Sequence, residues 1–173
     1  EHISQQYETF AIAVAATVDS GVNIIKTTGR NSAGDGGAAT YVRWQASMAA
    51  LIVNQEGYSW FESADGAQWT LIDVEVRPEM FGAMGHPTND EGLPIRRMFE
   101  FASGRTVLIT KTHRYKSQTA GVDDIRIYSN TRVQGASALT CGFKRIPNTL
   151  GEAMATPAYG VWCQDADEVY ISD

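Results

Sequence analysis

Phe81-Gly82-Ala83-Met84-Gly85-His86-Pro87-Thr88-Asn89-Asp90-Glu91 places a Gly-rich turn, a polar run and two carboxylates directly before a helix pattern. Gly82 and Gly85 suit tight backbone conformations closed to residues with a Cβ. Behind them, Ile95, Met98, Phe99 and Ala102 recur at i, i+3, i+4 and i+7, the apolar stripe of a short helix. Pro94 fits its first turn, Asp90 or Glu91 can cap its amides, and Gly104 can end it. The spacing predicts a helix over about 93–103, with Phe81, Gly82, Gly85 and Asp90 as the turn and cap that lead into it.

Downstream the pattern changes to short apolar segments between polar turns: Thr106–Ile109, Tyr115–Ser117, Ile125–Tyr128, Arg132–Gln134, Leu139–Phe143, Tyr159–Cys163 and Val169–Ser172. Short strands spaced in this way make a sandwich, a barrel or a solenoid, and pattern alone does not choose. Upstream, Ile3, Tyr7, Phe10 and Val14 follow 4-3-4 spacing, and Ser4 to Thr17 lacks Gly and Pro. That predicts a helix, either packed on its own module or self-associating around a threefold axis. Asp19-Ser20-Gly21 ends it. Strands are expected at Val22–Lys26 and Ala38–Trp44, with a loop over Asn31–Gly37. Asp65-Gly66 signals a two-residue hairpin between Tyr58–Ser63 and Gln68–Val74. In that register Trp60 faces Leu71 and Glu62 faces Trp69.

Composition narrows the classes. A net charge of −6, with no cluster of Lys and Arg, argues against general nucleic-acid binding, which needs clustered cations. The longest apolar stretch, Phe10 to Ala16, is too short to span a bilayer, and no signal-peptide pattern opens the chain. Glu1 is not a natural start, so residues are expected upstream. At 173 residues the chain can bury a core without staples.

The 81–91 segment resembles the opening signature of pectate-lyase-like right-handed β-helices, commonly Phe-Gly-Ala-x-Gly-Asp-Gly-x-x-Asp-Asp followed by a short helix. Thr106–Ser117 resembles that family's first strand, turn and Tyr-bearing second strand. Ile127-Tyr128-Ser129-Asn130-Thr131-Arg132-Val133-Gln134-Gly135 resembles its next strand pair, with an Asn turn and a closing Gly, and Tyr159 to Ser172 the start of its repeating coils. Upstream, Gly21-Val22-Asn23-Ile24-Ile25-Lys26-Thr27-Thr28-Gly29, then Gly34-Asp35-Gly36-Gly37-Ala38-Ala39-Thr40-Tyr41, is similar to a module preceding such β-helices in phage tail spikes. His86 and Pro87 depart from the family pattern, where Asp and Gly are usual.

The resemblance implies a mostly β fold. A short N-terminal helix and a small β-rich connecting module would occupy 1–76. The start of a right-handed parallel β-helix, opened by its capping α-helix and cut off after its first coils, would occupy 77–173. Val169–Asp173 reads as a strand inside a repeat with no cap behind it, so a longer parent is expected. Cys141 and Cys163 are 22 positions apart, which suits either a disulfide between neighbouring coils or two separate buried thiols.

No active site is nominated. Gly34-Asp35-Gly36-Gly37 lacks the Lys-Ser/Thr and the following helix of a phosphate loop, so it reads as a structural turn. Asp123-Asp124 and Asp165-x-Asp167-Glu168 are the dense acidic groups, and both fall at expected turns, where Asp bonds its own backbone. A glycoside hydrolase needs a spaced carboxylate pair, and a metal-assisted lyase needs a carboxylate cluster beside an Arg or Lys; neither is visible as a set. His2, His86 and His113 have no Ser or Cys companion suggesting a triad. Trp44, Trp60, Trp69 and Trp162, with Tyr41 and Tyr58, are read as core before sugar platforms. No cofactor and no metal are expected.

By resemblance, the chain is the tail-proximal, structural part of a phage tail spike or fibre, expected to be a homotrimer in the virion. It would bind tail or baseplate proteins and present a body that acts on host polysaccharide. The alternatives are the N-terminal part of a secreted bacterial polysaccharide lyase or hydrolase, and a non-enzymatic glycan-binding adhesin.

Overall fold

The computed structural model describes residues 3–116, 125–128, 130–135, 142–145, 161–163 and 169–172. The chain forms two units: Glu1–Asp73 with Glu79–Gly82, and Val74–Pro78 with Ala83–Asp173.

The first unit contains β1 (Ile3–Tyr7), α1 (Phe10–Val14), β2 (Val22–Thr27), β3 (Ala39–Arg43), β4 (Trp60–Glu62) and β5 (Gln68–Leu71). They build one five-stranded sheet in the order β1-β2-β3-β5-β4. β1 runs parallel to β2, and the remaining pairs are antiparallel. Phe10, Tyr41, Phe61 and Trp69 form its aromatic centre: Phe61 meets Phe10 and Tyr41 edge-on, each at 5.1 Å between centroids, and lies stacked on Trp69 at 6.5 Å. Such rings dominate the buried apolar area of a small sheet.

Two expectations are corrected here. The helix expected across Ser4–Thr17 is only five residues long, and Ile3–Tyr7 is a strand. Two heptads of spacing cannot sustain an isolated helix, since helices shorter than about 12–15 residues are marginal in water. The parallel ladder to Val22–Thr27 wins instead. Thr9 then starts α1, its Oγ1 accepting the Ile12 N–H at 3.3 Å. Phe10 packs into its own unit's core, not into a helix seam.

The hairpin register is also shifted by one. Trp60 pairs with Thr70, Phe61 with Trp69, and Glu62 with Gln68. The loop has three residues rather than two: Ser63 N–H donates to Ala67 O at 2.9 Å, and Gly66 N–H to Ser63 O at 2.8 Å. Gly66 has φ +81, the left-handed third position of a turn-plus-bulge loop. One slip flips which side chains face each other. It brings Phe61 and Trp69 together in the core and leaves Glu62 exposed.

The second unit contains β6 (Glu75–Val76), α2 (Gly92–Phe101), β7 (Thr106–Ile109), β8 (Thr112–Tyr115), β9 (Ile125–Ile127), β10 (Thr131–Gly135), β11 (Gly142–Arg145), β12 (Val161–Cys163) and β13 (Val169–Ser172). Its sheets are β6-β7-β10-β13, β8-β11 and β9-β12, and every pairing in them is parallel. Each strand from β7 to β10 therefore pairs with the strand three places later. Among the described strands the chain visits three sheets in turn and comes back to the first, an order that no meander gives.

Alternation along the strands sends Val107, Ile109, His113, Tyr115, Ile125, Ile127 and Val133 inward. Ile95, Met98 and Phe99 of α2, with Ala102 just after it, are all fully buried. At the corners Gly104 N–H donates to Asn130 O at 3.1 Å, and Thr131 Oγ1 donates to Ala102 O at 3.3 Å. Asn130, with φ +59, is the one non-glycine in the left-handed region among the described residues, a conformation Asn tolerates better than most.

Candidate functional site

Two carboxylates organise the segments singled out in the sequence, one in each unit. In the first unit Asp35 closes the 31–37 loop. Its Oδ1 accepts the N–H groups of Arg30 (3.0 Å) and Gly37 (2.8 Å), and its Oδ2 those of Asn31 (2.7 Å) and Ser32 (3.0 Å). Partial burial would raise this carboxyl, but the four backbone donors hold it below its ordinary value. The loop is a cradle for Asp35 itself, with the carboxylate in the place an external anion would need.

Arg30, which carried no signal in the sequence, is the tie beam of that unit. Its guanidinium lies over the Phe10 ring at 3.7 Å, donates to Met80 O at 3.2 Å, and also donates to Gly57 O. Burial pushes this group down from its usual value, and the neighbouring Tyr41 offsets part of that. Gly34, Gly36 and Gly82 have φ of +78, +99 and +99. Gly37 is limited by space: a Cβ there would lie 2.5 Å from Arg30 Cβ and 2.7 Å from Glu79 O. Phe81 is buried in this same unit.

In the second unit Glu91 is the hub. Its Oε1 accepts the N–H groups of Gly85 (2.7 Å) and His86 (3.1 Å), and its Oε2 lies 3.1 Å from His113 Nδ1. Glu91 is 4% exposed and His113 0%. Burial would raise the Glu91 carboxyl, but the bond from His113 and the two backbone donors outweigh it and hold the carboxyl below its usual value. The backbone of Glu91 is engaged too, donating to Arg114 O at 2.8 Å and accepting from Ile95 N–H at 3.1 Å.

Asp90 takes the capping role. Its Oδ1 accepts Gly92 N–H at 3.0 Å and Lys116 N–H at 2.9 Å, tying the start of α2 to the end of β8. Gly85 turns the chain with φ +76, and Lys111 Nζ donates to Met84 O at 3.4 Å. His86 Nδ1 accepts Thr88 N–H at 3.3 Å. The imidazole thus serves as the short-range acceptor that a carboxylate at this position would otherwise supply.

The arrangement holds backbone in place. The carboxylates of Asp35, Asp90 and Glu91 are spent on internal donors, and no group of three potential metal ligands occurs among the described residues. Trp60 and Trp69 are buried and Trp44 is half-buried. Asp123-Asp124, Asp165, Asp167, Glu168, His2 and Cys141 lie outside the described residues, and of Cys163 only the strand position is described, opposite Ile127. Glu91 with His113 was the pairing sequence reasoning missed. The two residues are 22 positions apart, and only the turn of the coil brings them together.

No helix among the described residues is long and apolar enough to cross a membrane. No protein-family profile matches the chain, and no curated protein matches it. Solved structures do match. The tailspike gp42 of Acinetobacter phage vb_AbaP_AS12 aligns with a TM-score of 0.56 at 21% identity, over 82% of this chain and 23% of its own. The tailspike gp49 of Acinetobacter baumannii bacteriophage Fri1, described as a capsular polysaccharide depolymerase, aligns at 0.52 and 18%, over 75% and 22%. Pantoea stewartii WceF, a glycan biofilm modifying enzyme with a bacteriophage tailspike-like parallel β-helix fold, aligns at 0.50 and 15%, over 78% and 22%. The chain carries the fold of phage tailspike proteins and spans less than a quarter of the length of these two tailspikes.

Proposed function

We propose that this chain is the tail-proximal, structural part of a phage tail spike or fibre, made of a connecting module and the first coils of a right-handed β-helix. The observation that carries the reading is the pairing of β7 with β10 and β13, β8 with β11, and β9 with β12, all parallel. Right-handedness follows from the rule that parallel crossovers in one sheet are right-handed in about 98% of cases. In this reading the Glu91–His113 pair and the Asp90 cap hold the 85–92 turn against β8 within the second unit, and Asp35 and Arg30 stiffen the first unit. The assembled protein is a homotrimer in the virion, docked on tail or baseplate proteins, and its body binds or cleaves host-surface polysaccharide with carboxylates outside this chain.

Immunogold labelling of intact virions with antibodies against residues 3–76 tests the placement. Label on the tail is expected; virions free of label, with the protein present in the same lysate, overturn it. Incubating the intact protein with host polysaccharide and measuring reducing ends and unsaturated products separates a depolymerase from a binding-only spike.

The likeness to the Pantoea stewartii enzyme favours one second reading, the front part of a bacterial polysaccharide-modifying enzyme on the same fold. Recovery of the protein from culture supernatant without virion proteins would select it.

A further inference from the structure

We propose that β1, the outer strand of the first unit's sheet, is a docking edge for one extended segment of another virion protein, uncharged in its middle and carrying Lys or Arg at both ends. The inference rests on the reading above that this chain is docked on the tail. β1 stands at one end of the order β1-β2-β3-β5-β4, and among the described residues no strand pairs with its outer side. Tyr7 O accepts Thr28 N–H at 3.1 Å, so the peptide groups of Tyr7 and Gln5 face β2. Peptide groups alternate in direction along a strand, which turns the N–H and C=O of Ser4 and Gln6 outward. Ile3, Ser4, Gln5 and Gln6 are all exposed. An open edge is a template for another strand unless Lys, Pro or a covering segment blocks it. Ile3-Ser4-Gln5-Gln6-Tyr7 has no charge and no Pro.

Charge names the chemistry of the occupant. The first unit holds nine carboxylates against Lys26, Arg30 and Arg43, which accounts for the whole net charge of −6. Arg30 and Arg43 are turned onto backbone carbonyls. Carboxylates stand at both ends of the edge. Asp19 Oδ1 and Ile3 Cδ1 lie 3.3 Å and 3.7 Å from the position a Gly21 Cβ would take, and exposed Glu8 directly follows Tyr7. Lys26, paired with Gln6, opposes a cation in the segment's middle. Main-chain bonds to the edge supply affinity, and the charges at its ends select the partner.

A second copy does not suit this edge. It would bring an equally acidic unit against the first, and pairing β1 with its own copy makes a two-fold contact that cannot close a threefold ring. The sheet's other edge is covered: Glu56 bridges to Trp60 of β4, and Gly57 N–H donates to Trp60 O at 2.8 Å.

The test places p-benzoylphenylalanine at position 4 of the intact protein assembled in virions, irradiates them, and sequences the linked peptides by mass spectrometry. The expected link joins β1 to a segment of a different virion protein with Lys or Arg on either side of an uncharged stretch. Gln6→Pro removes an outward donor, spares the bonds to β2, and should lower the yield about tenfold. Glu8→Lys leaves the backbone pairing alone and should lower it about threefold. No link, a link to this chain itself or to a segment without those cations, or a yield that neither substitution lowers overturns this inference and leaves the virion placement standing. Virions that lack the protein overturn both.

Discussion

Replacing Glu91 by Ala removes the acceptor for three donors at once: Gly85 N–H at 2.7 Å, His86 N–H at 3.1 Å and His113 Nδ1 at 3.1 Å. Each hydrogen bond to a charged group contributes about 1.5–3 kcal/mol, and three that share one carboxylate do not add fully. Each buried donor left without its acceptor costs about 1–3 kcal/mol, so losing one acceptor shared by three donors places the Glu91 variant at about 3–5 kcal/mol at pH 7. The sign with pH follows from the depressed folded-state value of Glu91. Its stabilisation is present above the unfolded carboxyl value, about 4.3, and is lost as pH falls through the lower folded value. The gap between wild type and Glu91→Ala is therefore full at pH 7 and narrows below about pH 4. Urea unfolding followed by far-UV circular dichroism at both pH values reads this, and hydrogen exchange over residues 83–116 localises it. A loss below about 1 kcal/mol, or one unchanged between pH 7 and pH 3, would refute the role given to Glu91.

Other perturbations test the first unit. Gly37→Ala forces a Cβ to 2.5 Å from Arg30 Cβ and 2.7 Å from Glu79 O, and should cost about 1–3 kcal/mol in thermal unfolding. A neutral Gly37→Ala would mean that these segments do not approach so closely. Arg30→Lys keeps the charge but loses the planar fork that reaches the carbonyls of Met80 and Gly57 over the Phe10 ring. About 1–2 kcal/mol of stability should go with it in denaturant titration. Phe61→Ala opens the ring cluster against Phe10, Tyr41 and Trp69 and should cost about 3–5 kcal/mol, with a shift in tryptophan emission from Trp69.

What the sequence made legible was local periodicity with a single partner. Ile95, Met98, Phe99 and Ala102 are an i, i+3, i+4, i+7 stripe, and all four are buried. Thr106–Ile109 and Val169–Ser172 are strands with the bounds read from their apolar runs between polar turns. Ile3–Tyr7 was illegible because its state is decided by β2, whose ladder outweighs a short helical spacing. The 63–67 loop was misread because Asp-Gly serves both two- and three-residue hairpins, and only the cross-strand pairing of Phe61 with Trp69 separates them. Arg30 looked like any surface cation, since nothing local reports that a ring and two carbonyls will converge on it. Glu91 was legible as a cap and not as a hub, because His113 reaches it only after the chain has turned through α2 and β7.

The central claim is that strands three apart in the chain are successive rungs of one coil. A cryo-electron microscopy map of the intact protein tests it most directly. Residues 106–109, 131–135 and 169–172 should appear as parallel, in-register rungs about 4.8 Å apart on one face of a right-handed helix. Antiparallel pairing among them, or pairing with other segments, would contradict the account.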